Sequence, residues 1–65
     1  MEVKELWRLA VALRQHFGEE AEYYARLKAD EASQMRNNRS CAVWKRIALA
    51  VRDLEQRAAT IQDLN

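Results

Sequence analysis

Trp44, Ile47, Val51, Leu54, Ala58 and Ile61 recur at intervals of 3-4-3-4-3 with charged residues between them. That spacing lines all six along one stripe of an α-helix, whereas a half-buried strand would alternate every second residue. The stripe predicts an amphipathic helix over about 40–62 and, with it, an all-α fold. The rest of the chain agrees. Proline is absent and Gly18 is the sole glycine, while Ala, Leu, Glu, Lys, Arg and Gln, the residues that lose least on entering a helix, dominate.

A second stripe, Val3, Leu6, Ala10, Leu13 and Phe17, widened by Trp7 and Leu9, predicts a helix over about 2–16. Gly18 supplies the positive φ that helix ends favour, with His16 in the last turn. Glu19, Glu20 and Glu22 then suit the positive end of a new helix, predicted over about 19–36. Its stripe, Ala21, Tyr24, Leu27, Ala32 and Met35, is diluted by Lys28, Asp30 and Glu31, which makes it the least buried of the three. An unbroken helix through Gly18 costs only about 1 kcal/mol relative to alanine, so a helical hairpin is the alternative to a three-helix unit. Asn37 and Asn38, with Ser40 as a further cap, mark the turn before the last helix.

Size sets the next constraint. The 65 residues make one domain, 1–65, at a length where burial barely offsets chain entropy. A single cysteine forms no intrachain disulfide, and no Cys or His pair has zinc-site spacing. Association with a second copy is the stabiliser left. The last helix is expected to pack antiparallel to the first and to overhang it, so Val51, Leu54, Ala58 and Ile61 are the predicted self-association residues of a homodimer.

The charge balance excludes some functions. Eleven basic and ten acidic side chains leave +1, which announces neither nucleic acid nor an anionic membrane. The longest apolar runs, Leu9 to Leu13 and Ile47 to Val51, are too short for a membrane span or a signal peptide. An unpaired thiol without an export signal suits the reducing cytoplasm. His16 and Glu20 would share a face only on an unbroken helix, and two ligands do not make a metal site. Cys41 has Arg39, Lys45 and Arg46 near it in sequence, a setting that activates thiols, but it lacks the base and oxyanion donors an enzyme needs. No enzymatic activity, cofactor or metal is therefore expected.

The pattern Glu5-Leu6-Trp7, Ala10, Leu13-Arg14 and His16 with Gly18 close behind, then Asn37 seven residues before Trp44, Ile47-Ala48 and Leu54, resembles a family of short bacterial helical proteins known only as a domain of unknown function. The resemblance covers about 50 residues of helix-forming sequence and implies three helices and no activity. Phe17 departs from it by separating His16 from Gly18, and Asn37-Asn38 stands where the family tends to have Gly-Asp. In size and make-up the chain is also similar to phage and mobile-element proteins that inhibit a host machine by covering one of its surfaces.

The function expected is that of a small protein-interaction module or inhibitor-like adaptor, working as a homodimer through amphipathic helix surfaces. Tyr23 and Tyr24 are the expected contacts for a partner protein. The alternative is a helix-turn-helix-like nucleic-acid-binding regulator, with Arg36, Arg39, Lys45 and Arg46 on phosphates. The glycine-free turn and the alanine-rich, leucine-rich last helix weigh against it.

Overall fold

The computed structural model describes residues 2–63, with side chains through residue 57, and is helical throughout apart from a turn at 35–37; no strand occurs among the described residues. The helices are α1, Val3–Phe17, α2, Ala21–Gln34, and α3, Asn38–Asp63, with a single 3₁₀ turn, Gly18–Glu20, between the first two. They form a body 45 Å long, 23 Å wide and 16 Å thick.

The break at Gly18 is local in origin. Its backbone sits at φ 58°, ψ −126°, and its N–H donates to the Arg14 carbonyl, closing α1 at Phe17, one residue past the expected end at His16. Only glycine enters that region without strain. Glu19 and Glu20 complete one tight turn before Ala21, whose N–H donates to the Gly18 carbonyl. The Arg14 guanidinium donates both to the Gly18 carbonyl and to Glu55 Oε1, each at 3.3 Å, tying this corner to α3.

At the other corner the left-handed residue is Arg36, at φ 60°, just ahead of the two asparagines that mark the turn in the sequence. Asn37 N–H donates to the Ala32 carbonyl and Arg36 N–H to the Ser33 carbonyl, the paired bonds of a Schellman C-cap. Asn37 then caps the next helix, its Oδ1 accepting the Ser40 N–H at 3.2 Å. This pairing of motifs starts α3 at Asn38, two residues ahead of the expected boundary.

Packing corrects the predicted seam of α2. That helix is well buried: Ala21, Ala25, Ala29 and Ala32 line its inner face, and its contact with α3 is the most extensive in the molecule. Leu27 and Met35, which the sequence stripe placed inward, are exposed. The reason is spacing. Steps of four, four and three put the alanines on one face, and a face of single methyls lets two helices approach at the close end of the usual ~8–10 Å range.

The direction of α1 is corrected too. Val3 and Leu6 lie beside Val43 and Arg46, while Arg14 meets Glu55, so α1 advances along α3 in the same direction rather than antiparallel to it. Two short turns dictate this, because each reverses the chain once. The core at the junction comprises Ala10, Ala21, Ala25, Ile47, Ala48, Ala50 and Val51, with Leu6, Trp7, Leu13, Val43, Trp44 and Leu54 packed around it.

The two corners make opposite predictions. Nothing lies within 4 Å of a Cβ added at Gly18, so Gly18→Ala costs only backbone strain, about 1–3 kcal/mol. Arg36→Gly relieves a left-handed residue and raises stability by up to about 1 kcal/mol. Urea unfolding at one fixed protein concentration measures both, and a stability change of the same sign in the two variants contradicts the assignment.

Candidate functional site

On α3 the inward residues Ile47 and Val51 are buried, which turns Leu49, two positions from either, to the opposite side. Leu49 is 64 % exposed. It forms a ridge with a groove on each flank. Toward α2 the groove holds about 390 Å³ and is lined by Glu22, Arg26, Ala29, Asp30, Lys45, Ala48, Leu49 and Arg52. Toward α1 a shallower cleft is lined by Leu6, Trp7, Arg46, Leu49, Ala50 and Asp53.

The α2–α3 groove has an apolar middle and charged rims of opposite tendency. Its α2 rim carries Glu22, Arg26 and Asp30, and its α3 rim carries Lys45 and Arg52. Glu22 holds Arg26 at 3.4 Å, one helical turn away. Asp30, Lys45 and Arg52 make no ion pair within 4 Å among the described residues. Ala29 and Ala48, both nearly buried, floor the trough between these charged rims.

Further apolar surface continues over α1. Trp7 is half-buried with the Arg57 guanidinium 5.5 Å above its ring, and beyond it Val11 and Ala12 form another shallow cleft with Arg8 and Gln15. Large apolar side chains are thus displayed while small ones are hidden. Among the described residues the buried set is Ala10, Ala21, Ala25, Ala29, Ala32, Ala48 and Ala50 with Ile47 and Val51, whereas Val3, Leu9, Val11, Phe17, Tyr23, Leu27, Met35 and Leu49 are exposed.

The residues singled out in the sequence distribute unevenly over this surface. Tyr23 is 67 % exposed. Tyr24 is instead packed, stacked on Phe17 with ring centroids 4.3 Å apart and meeting Trp44 edge-on at 6.1 Å, with the Lys28 ammonium 5.6 Å from its ring. It closes the end of the core and is not a free anchor. Val51 is fully buried and Leu54 half-buried against the core of their own chain, so these two members of the expected self-association stripe are already occupied. Ala58 and Ile61 lie outside the described side chains.

Arg36, Arg39, Lys45 and Arg46 are all exposed but do not converge. Lys45 faces the α2 groove and Arg46 the α1 side of Leu49, while Arg36 belongs to the turn. His16 is exposed, its ring tilted toward Phe17 at 6.3 Å, and the Cys41 thiol is free and half-buried. No group of three or more His, Cys, Asp or Glu gathers among the described residues, and no helix there is long and apolar enough to cross a membrane. Leu49 and the Trp7–Val11 surface were not expected, although a helical wheel drawn through Ile47 and Val51 puts Leu49 outside.

Comparison with protein-family models, with curated proteins and with solved structures returns no match.

The tyrosine pair gives a direct check. Tyr24→Ala removes a stacked ring from the edge of the core and costs about 2–3 kcal/mol, somewhat less than a fully buried aromatic. Tyr23→Ala, on an exposed site, stays within about 0.5 kcal/mol. Thermal unfolding of the two variants measures the difference, and equal losses contradict the placement of the rings.

Proposed function

We propose that this chain is a small protein-interaction module, a three-helix unit that pairs with a second copy through the α2–α3 groove and the Leu49 ridge. The observation that carries the reading is the inverted apolar inventory. A buried alanine contributes one methyl, of order 0.8 kcal/mol, whereas a buried Leu or Phe contributes about 1.5–3 kcal/mol. A chain of 65 residues that spends its inner faces on alanine and displays Leu49 gains much of its missing burial only in an assembly.

Charge supports a second copy as the occupant. In an isologous pair each surface meets its own kind rotated by half a turn. Lys45 and Arg52 of one protomer then face the α2 rim of the other, where Asp30 carries an unpaired carboxylate, and each Leu49 enters the trough between Ala29 and Ala48. The contact is complementary in sign as well as in shape. The nucleic-acid reading has less support, since two of the four basic residues expected to serve it, Lys45 and Arg46, diverge around Leu49. A free thiol suits a cytoplasmic setting.

The mass in solution tests the proposal. Light scattering over a range of concentrations is expected to give a dimer for the wild type and a monomer for Leu49→Asp, which removes no buried side chain. A wild type that stays monomeric, or a Leu49→Asp variant that remains dimeric, overturns it.

A further inference from the structure

The surface around Trp7 borders the Leu49 ridge and continues over α1. Trp7 stands between two shallow apolar clefts, one formed with Val11 and Ala12 on α1 and the other with Leu6 and Ala50. Cations rim both clefts: Arg8 lines the first, Arg46 the second, and Lys4 lies one turn before Arg8 on the same helix, with Glu5 on the flank of α1 outside both linings. These three cations make no ion pair within 4 Å among the described residues, whereas Asp53, which lines the second cleft, is held by Arg57 at 3.3 Å. Glu2 lies on the far side of Arg46, beside Val3 and Val43, again without an ion pair. A half-buried tryptophan between two clefts, rimmed by unpaired cations, is an arrangement that can anchor an aromatic-centred interface.

We propose that the Trp7 face binds an acidic amphipathic helix of another protein. Leucines one and two turns apart on such a helix would straddle Trp7 and enter the two clefts, while its carboxylates reach Lys4, Arg8 and Arg46. Clefts on both sides of one indole match the side-chain rows of a helix better than the flat stacking of nucleobases, for which parallel aromatic platforms are used. The cleft formed with Val11 and Ala12 lies on α1, away from the α2–α3 groove. The other cleft has Leu49 on its wall, so a bound helix and a second copy of the chain meet there, and only the Val11 cleft stands clear of the self-association surface.

Two synthetic helical peptides with the same leucine spacing, one carrying glutamate and the other lysine at its remaining positions, test this by fluorescence anisotropy against the full chain. Trp7→Ala disturbs the core, so the variants to use are Val11→Asp and the pair Arg8→Glu with Arg46→Glu, all at exposed positions, with helicity checked by circular dichroism. The glutamate peptide is expected to bind, to weaken as salt is raised, and to lose about tenfold or more in affinity in either variant. Failure of the glutamate peptide to bind, equal binding of the lysine peptide, unchanged affinity in both variants, or displacement of the peptide by a duplex DNA oligonucleotide overturns the proposal.

Discussion

The close approach of α2 to α3 through Ala21, Ala25, Ala29 and Ala32 is the contact on which everything else rests. Four methyls in a row bring the two backbones near enough for Ile47, Ala48 and Val51 to seat against them. That contact fixes where α3 lies, and α1 then fits against α3 with Ala10 at its own closest point. Larger residues in the α2 row would hold the helices apart and widen the trough in which Leu49 stands.

The same economy creates the exposed surface. Alanine supplies most of the fully buried set, so the larger apolar residues lie at its margin or face outward, and the outward ones are patterned. Leu49 stands alone on the outer side of α3 among Lys45, Arg46, Arg52 and Asp53, and Trp7 bridges from the core to the outer side of α1. Scattered exposed apolar residues are ordinary on proteins. What distinguishes these is that each borders a groove with alanine in its wall.

Legibility followed side-chain size. The stripes of α1 and α3 carry leucine, isoleucine and tryptophan, so their periodicity and the break at Gly18 were readable in the sequence. The seam of α2 was not, because alanine counts as weakly apolar and the larger Tyr24, Leu27 and Met35 suggested a different face. Arg36 in a left-handed conformation left no trace either, since that position ordinarily calls for glycine or asparagine. Tyr23 was readable as an exposed aromatic. Leu49 was hidden inside the apolar run Ile47 to Val51, where adjacency in sequence masks opposite sides of a helix.

The central claim is that the thin alanine core draws its remaining stability from a second copy, and the dependence of the unfolding temperature on protein concentration tests it most directly. Mass action requires the midpoint of a coupled dimer to rise with concentration. A steady rise for the wild type, lost in Leu49→Asp, is the predicted result; a midpoint independent of concentration would mean that the alanine-packed chain is stable alone.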